Sequence, residues 1–464
     1  MSWLDKLSFW RRAHAGSRSS SGERPIEAWR PGRSSTSKLR AELPHFQTTA
    51  ADRLDPRMSD RFAALRMRLR AGFTPSLPVT DASLFAGRTD VLNTIIRSIE
   101  DQRLHIVIYG ERGIGKTSTL HILTELARDA RYLVVYVSCG AGSNFDETIR
   151  QTAADIPLMY HSDYGPTASG AEEGRSFATL LPSEPITVRV ATELFARVAG
   201  TRVLVILDEF DRCESGDFRR SMAELLKSLS DRAVRVQVVV AGVAADLTEL
   251  VEHVPSIQRN ILALRLPKME ATELRALLKK GGEHGGVAFK PQAEAAIVAA
   301  SGGIPYLASL LSYLAGSRAI DAGRSTVETE DVAGAVADAL TELKSRISKR
   351  SQAKIAECVR NGAHLILGAL AGRAQVSAGV FKADDMQAIY PKPDQQASCE
   401  KLVDSYADPQ GLLQVVDDED GRAYRFREES VMPYIWLLST QALFANSAAP
   451  DQASSPADSA KAGA

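Results

Sequence analysis

One short stretch of the chain combines the residue types and the spacing that phosphate groups require. Glycines let a backbone fold tightly around phosphate oxygens, with amide groups pointing inward at a helix N-terminus. The Lys116 ammonium is expected to contact the β- and γ-phosphates of ATP, and the Thr117 hydroxyl to bind Mg²⁺. The stretch fits GxxxxGK[ST] at every fixed position, and the expected nucleotide contacts are Gly110, Glu111, Arg112, Gly113, Ile114, Gly115, Lys116, Thr117 and Ser118.

An acidic pair further along the chain supplies the groups that such a loop needs opposite it. Asp208 and Glu209 directly follow an apolar run at 203–207. Asp208 is expected to hold Mg²⁺ directly or through water, and Glu209 to polarise the water that attacks the terminal phosphate. Taken alone, two acids that end a strand would be ordinary surface residues. Together with the loop they predict an ATPase site with Lys116 and Glu209 as catalytic residues.

Apolar runs that alternate with helical patterns must position these two motifs. Residues 155–186 show little periodicity and predict a long loop or an insertion. We predict buried strands at 104–109, 132–138, 203–207 and 234–241, and helices at 116–129, 190–198 and 218–230. Strands that alternate with helices predict an α/β fold whose parallel sheet is covered on both faces.

Composition divides the remainder of the chain. The first fifty residues carry nine Lys or Arg against four Asp or Glu and cannot build a core. After residue 266 only helical patterns follow, until helices at 356–370, 383–389 and 397–406 precede a hairpin with strands at 412–416 and 422–427. We therefore predict a basic, largely disordered arm (1–80), a nucleotide-binding core (81–266), a helical lid (267–345), a winged-helix-like domain (346–445) and a disordered tail (446–464).

Bulk properties favour a soluble cytoplasmic protein. The net charge is −1, so there is no global attraction to nucleic acid or anionic membranes. The four cysteines show no metal-ligand spacing, and no apolar run approaches the roughly 18 residues that span a bilayer. Trp3 and Trp10 share one face if residues 2–12 are helical. That segment either contacts a membrane surface or a partner, or is a tail without a ligand.

The chain resembles initiator-type AAA+ ATPases and the related STAND signalling ATPases over about residues 83–440. The resemblance rests on the phosphate loop and acidic pair, and on the Phe85-Ala-Gly-Arg88 box that precedes them. Weaker matches are Ser256–Arg259, Gly302–Pro305, and 424–427 followed by 434–437. The resemblance implies an AAA+ core with a helical lid and a C-terminal winged helix. It also implies that Phe85 and Arg88 line the adenine pocket.

Two departures from the AAA+ pattern indicate slow hydrolysis. The region 238–243 contains no polar residue where these enzymes usually carry a sensor at the end of the fourth strand. The lid reads Gly303-Ile-Pro305-Tyr306, a Gly-x-Pro pattern like that of the STAND group. Initiator ATPases place an arginine at this position, and that arginine touches the γ-phosphate. Arg259 matches the arginine that reaches the nucleotide of a neighbouring subunit in the relatives, or it is a surface arginine that caps a helix.

The C-terminal charges bear on which partner is expected. Residues 346–444 contain twelve Lys or Arg and thirteen Asp or Glu, and the wing tip at 417–420 consists of four carboxylates. Since phosphate neutralisation supplies most of the affinity for duplex DNA, this acidic winged helix disfavours DNA. We expect a switch that binds ATP or ADP and acts on a protein partner. The alternatives are an initiator- or transposition-helper-type DNA-binding ATPase, and a nucleotide-binding scaffold without turnover. Nucleotide-dependent homo-oligomers are compatible with each.

Overall fold

The computed structural model describes residues 61–164, 175–242, 258–374, 380–418 and 421–447, beginning with helix α1 (Arg61–Gly72). The tryptophan-containing N-terminal segment, Ser256 and Ile257, and the tail from residue 448 lie outside the described residues. In the described ranges, no helix is long and apolar enough to cross a membrane.

Five parallel strands form the central sheet. They are β1 (His105–Tyr109), β2 (Leu133–Ser138), β3 (Val203–Asp208), β4 (Val236–Gly242) and β5 (Ile261–Arg265), in the order β2-β3-β4-β1-β5. Because all neighbouring strands are parallel, their carboxyl ends share one edge of the sheet and their amino ends share the other. Only β4 separates β1 from β3, so the phosphate loop and the acidic pair meet at the carboxyl edge.

Helices cover both faces of this sheet, which confirms the predicted α/β fold. Alternate residues of β3 point to opposite faces, as the pleat of a strand requires. Leu204 and Ile206 pack with α2 (Thr89–Glu100) and α3 (Lys116–Asp129). Val205 and Leu207 pack on the other face, against α4 (Phe145–Ala154), α5 (Val188–Phe195) and α6 (Gly216–Asp231). The strand β5, at one edge of the sheet, was not predicted; of its five residues only Ile261 is buried.

The region predicted as a lid has a hydrophobic cluster that is distinct from the two clusters of the sheet. It contains α7 (Ala271–Gly285), α8 (Pro291–Ser301), α9 (Pro305–Asp321) and α10 (Thr329–Lys344). Two very short parallel strands, β6 (Ala288–Phe289) and β7 (Thr326–Val327), also lie here, so the prediction that strands end at residue 266 was wrong.

The C-terminal region combines helices with a three-stranded antiparallel sheet in the order β8-β10-β9. Its elements are α11 (Lys349–Arg360), α12 (Ala363–Ala374), β8 (Val380–Lys382), α13 (Ala383–Ile389), α14 (Pro393–Ser405), β9 (Leu413–Asp418), β10 (Gly421–Phe426) and α15 (Val431–Ser447). The helix predicted at 356–370 is two helices, broken at Gly362, whose φ of +77° is left-handed. On α15, the Trp436 indole donates to the Ala300 carbonyl at 2.8 Å and so ties this region to the lid.

The prediction of a largely disordered arm up to residue 80 was wrong for its last quarter, residues 61–80. Helix α1 packs on α7, and Leu65, Leu69 and Phe73 form a cluster with Val287 and Ile320 of the lid. The close approach depends on glycines of α7: a Cβ at Gly281 would overlap the Phe73 ring, and one at Gly285 would lie 3.1 Å from the Leu69 Cα. Leu65, Leu69 and Phe73 thus form an apolar stripe within an arginine-rich segment.

Candidate functional site

The phosphate loop connects β1 to α3 and is shaped by its glycines. Gly113 and Gly115 have φ values of +77° and +97°, a left-handed conformation that other residues adopt only at a cost. The Lys116 ammonium donates to the Gly110 carbonyl at 2.7 Å and to the Glu111 carbonyl at 3.0 Å, so it lies within the curl of the loop. Burial lowers the pKa of Lys116, while the carboxylates of Asp211, Asp208, Glu429 and Glu111 oppose that change.

The acidic pair lies at the end of β3, on the same cavity as the loop. Asp208 is 4% exposed, and its carboxylate accepts the Tyr136 hydroxyl at 2.7 Å and the Glu209 amide at 2.9 Å. Glu209 has a left-handed φ of +55°, and its carboxylate pairs with the Arg212 guanidinium at 2.6 Å. Asp208 is thus rigidly oriented, whereas Glu209 is held by an exposed partner.

The oxygen atoms at this site suit Mg²⁺ bound together with a nucleotide. Thr117 and Asp208 both line the cavity and offer one hydroxyl and one carboxylate. Among the described residues, no group of three or more His, Cys, Asp or Glu forms a metal cluster. Magnesium usually takes one or two protein ligands and completes its shell with phosphate oxygens and water. Thr117 and Asp208 fit that role.

Arg88, predicted to line the adenine pocket, lines the cavity and holds the loop against the start of the lid. Its side chain is buried and donates to the Ile114 and Pro267 carbonyls, both at 2.8 Å. Its amide donates to the Glu273 carboxylate at 2.8 Å. Burial lowers the pKa of Arg88, and Glu273 opposes this. Phe85 lines the cavity, and its carbonyl accepts the Lys280 ammonium at 2.6 Å.

The cavity of about 660 Å³ draws residues from more of the chain than the sequence indicated. Residues 74–79, after α1, line it, and the Val79 amide donates to the Ser118 hydroxyl at 3.1 Å. From the lid, Pro305 and Tyr306 approach the loop, and the Tyr306 amide donates to the Gly113 carbonyl at 3.3 Å. The sequence flagged the Gly-x-Pro-Tyr segment, but nothing in it signalled residues 74–79.

Glu429, from the C-terminal region, also lines the cavity beside Lys116. Its carboxylate lies 3.9 Å from the guanidinium of Arg112, which projects from the phosphate loop. No sequence motif pointed to Glu429, because the contact joins positions more than three hundred residues apart. The C-terminal region therefore places a negative charge where phosphates would bind.

Two further expectations concern the ends of β4 and β5. The described part of the predicted sensor region, 238–242, has only apolar side chains, but the Asp211 carboxylate lies against Gly242 and lines the cavity. Arg259 is exposed and precedes β5, whose first residue pairs with the first residue of β1. It thus lies more than about 16 Å along the strand direction from Gly110, at the opposite edge of the sheet. The structure does not bring Arg259 to the site of its own chain.

Glu111 gives the loop an unusual electrostatic feature. One of its carboxylate oxygens is buried and has no hydrogen-bond partner among the described residues. Burial raises the pKa of Glu111 to about 7, although Lys268, Arg265 and Lys116 oppose the change. Burial also lowers the pKa of Lys268 to about 8.

A sequence profile of one family, Novel STAND NTPase 1, matches residues 75–408, well over half of the chain. The chain belongs to this family. As a STAND NTPase it is an initiator-like P-loop AAA+ protein, which agrees with the loop, the acidic pair and the lid described above.

Two curated relatives of this STAND NTPase are the ORC1-type DNA replication protein of Thermoplasma volcanium and the ORC1-type DNA replication protein 2 of Thermoplasma acidophilum. Each is 28% identical over 196 residues, which is 40% of this chain and 43% of the relative. The alignment thus spans less than half the length of these relatives.

Solved structures with a similar chain course include the ORC2 protein of Aeropyrum pernix, at 17% identity and a TM-score of 0.43, covering 81% of this chain and 98% of that one. The Walker-type ATPase of Pyrococcus abyssi is 13% identical with a TM-score of 0.45, covering 78% and 98%.

Proposed function

We propose that this protein is an ATP-binding switch that hydrolyses ATP slowly and transmits its nucleotide state to a protein partner. The observation that carries the proposal is the composition of the nucleotide cavity. The core contributes Lys116 and Asp208, the lid contributes Tyr306, and the C-terminal region contributes Glu429. A ligand in this cavity would contact parts of the chain that belong to different hydrophobic clusters, so its charge would affect how they pack.

Glu429 is the element through which the phosphate state would act. Arg112 and Glu429 form an exposed pair, with side chains 85% and 58% accessible, so the pair contributes little to stability. A γ-phosphate would bring negative charge toward the same loop and would compete for Arg112 while repelling Glu429. We infer that ATP disfavours the position in which Glu429 of the C-terminal region lies beside the phosphate loop, and that ADP tolerates this position.

The remaining roles follow the chemistry of phosphoryl transfer. Lys116 would neutralise phosphate charge, and Thr117 and Asp208 would hold Mg²⁺, which stabilises charge on the transferred group. Glu209 would orient the attacking water once its carboxylate leaves Arg212. That pairing, together with the apolar end of β4, supports slow turnover. The four described cysteines are free, in line with the cytoplasmic location that we propose.

The C-terminal region is proposed to be a winged helix that faces protein. Its helices and three-stranded antiparallel sheet suit this fold, and its acidic composition opposes a DNA-reading role. The names of the ORC1-type relatives favour the second candidate, a DNA-binding initiator ATPase. In either case we propose that Arg259 acts on the nucleotide of a neighbouring copy, because it lies far from the site of its own chain.

The decisive experiment combines steady-state ATP turnover with a distance measurement between labels on the core and on α14. We expect slow turnover that Lys116→Ala and Glu209→Gln abolish and that duplex DNA leaves unchanged. Non-hydrolysable ATP should lengthen the distance relative to ADP, and Glu429→Gln should reduce that difference by at least about half.

Three results would contradict this proposal, each in a different way. A distance that ignores the nucleotide would exclude the switch. Turnover that rises several-fold with DNA would favour the initiator ATPase. Lys116-dependent nucleotide binding without any turnover would favour a scaffold. Ser430→Ala, which changes the neighbouring residue without altering charge, is the matched control for Glu429→Gln.

A further inference from the structure

An arginine precedes every strand of the central sheet by one or two residues. Lysine occupies none of these positions, and no nucleotide-site role accounts for four of them. In the order of the strands across the sheet, the residues are Arg131, Arg202, Arg235, Arg103 and Arg259. We refer to these five residues as the arginine row.

The backbone pairing places the members of the row side by side. The Leu133 amide donates to the Arg202 carbonyl and the Val203 amide to the Arg235 carbonyl, both at 2.9 Å. On the other side of the sheet, the His105 amide donates to the carbonyl of Asn260, next to Arg259, at 2.9 Å. Adjacent strands lie about 4.8 Å apart, so five strands align the row over about 19 Å of the amino edge.

Most of the row is exposed and unpaired. Arg103, Arg131, Arg235 and Arg259 are exposed, and within the described residues none of them makes an ion pair or a side-chain hydrogen bond. Arg202 is half-buried, with its guanidinium 6.0 Å from the centre of the Tyr132 ring and donating to the Tyr132 hydroxyl at 3.0 Å. Four like charges held close together without ion-pair partners repel one another, which is a cost that an external anion would remove.

Helix ends explain part of the pattern but not all of it. The C-termini of α2, α3 and α6 reach this edge, and helix C-termini attract cations. That accounts for Arg103, Arg131 and Arg235. It does not account for Arg202, since α5 ends at Phe195 and a loop of seven residues follows before β3 begins. A ligand for the whole row explains all five positions.

We propose that the arginine row binds the phosphate backbone of a nucleic-acid strand. Guanidinium groups make paired, fork-like hydrogen bonds to phosphate oxygens. Successive phosphates of one strand advance about 3.4 Å along the helix axis, so 19 Å covers about five of them. The surface thus matches a linear polyanion in charge and length.

The surroundings of the row favour a narrow ligand over a broad anionic surface. Exposed carboxylates at the helix ends flank the row. Glu100 is the last residue of α2, and Asp101 follows it. Asp129 ends α3 on the same face of the sheet, and Asp231 ends α6 on the opposite face. A flat anionic membrane would approach these carboxylates as well as the row and would be repelled. The phosphate backbone of one strand of a duplex, lying along the edge, would meet the arginines rather than the flanking carboxylates.

The test uses the full chain and a short fluorescein-labelled duplex DNA, with fluorescence anisotropy measured from about 50 to about 200 mM salt. The variant Arg103→Ala/Arg131→Ala/Arg235→Ala should weaken binding at least about tenfold at the lowest salt. It should also reduce the slope of log affinity against log salt by about 2.7, from three lost phosphate contacts. The control Arg189→Ala/Arg220→Ala/Arg360→Ala removes the same charge from exposed positions elsewhere and should bind as the wild type does.

Several outcomes would overturn the assignment. No binding by the wild type at low salt would do so, as would equal losses in the two triple variants. Tighter binding to phosphatidylserine vesicles or to polyglutamate than to DNA, lost in the row variant, would assign the surface to a membrane or an acidic protein. Lys116→Ala should keep full DNA affinity, so this test succeeds or fails independently of the proposed switch.

Discussion

At the carboxyl edge of the central sheet, Lys116, Arg88 and Asp208 are partly or fully buried, and each has two or more hydrogen-bond partners within the chain. At the amino edge, Arg103 and Arg235 are exposed and have no such partner in the described chain. The same parallel sheet therefore presents two charged edges of different kinds. Buried, partnered charges fix the geometry of a site, whereas exposed, unpartnered charges are free to bind something else.

The strongest challenge to this comparison is Arg88→Ala. Removing the buried guanidinium leaves the Ile114 and Pro267 carbonyls without a donor, so we expect the free energy of unfolding to fall by about 3 kcal/mol. Denaturant unfolding of the nucleotide-free protein measures this. Arg97→Ala, on an exposed position of α2, should change stability by less than about 0.5 kcal/mol. Equal effects of the two variants would contradict the role of Arg88 in holding the phosphate loop against the start of the lid.

A second prediction concerns pH. The folded-state pKa of Glu111, about 7, exceeds its usual value of 4.5, so the folded chain binds this proton more tightly than the unfolded chain does. The resulting stability is fully present below about pH 4.5 and is lost as the pH rises through 7. After allowance for partial solvent screening, we expect wild type to lose about 2 kcal/mol across this window relative to Glu111→Gln. Parallel pH profiles of the two proteins would show that the buried carboxyl does not titrate in this way.

The smallest expected effect sharpens the contrast from the other edge. Arg103→Ala and Arg235→Ala remove exposed charges without internal partners, so each should alter the free energy of unfolding by less than about 0.5 kcal/mol. Both should also leave nucleotide affinity unchanged. A loss of stability above 1 kcal/mol, measured by the same denaturant titration, would mean that the amino edge is part of the folded framework after all.

The sequence predicted the elements that carry the phosphate loop and the acidic pair, because their patterns are local. The loop, Asp208 and Glu209 follow apolar strands that are recognisable from a few residues each, and the strands β1 to β4 lie within two residues of their predicted bounds. Glu429, Tyr306 and residues 74–79 reach the cavity through packing between distant segments, which local patterns do not encode. For Arg88, the resemblance indicated a position that lines the adenine pocket, but not that its guanidinium binds backbone carbonyls.

The amino edge illustrates the opposite situation. Each of its arginines is unremarkable in its own segment, and only the strand order brings Arg131, Arg202 and Arg235 into one line. The packing of helix α1 likewise went unpredicted, because Leu65 and Leu69, which supply its apolar contact, lie within an arginine-rich segment. Both features depend on tertiary neighbours that a single sequence does not reveal.

The interlock of α1 with the glycines of α7 has a mechanical consequence. Since Phe73 sits where Gly281 lacks a side chain, α1 must move with the lid, while Val79 a few residues later is tied to the core through Ser118. Residues 74–78 thus form a short tether between the lid and the core. If the nucleotide moves the lid as we propose, α1 moves with it, and residues 74–78 carry that motion to the core at Ser118.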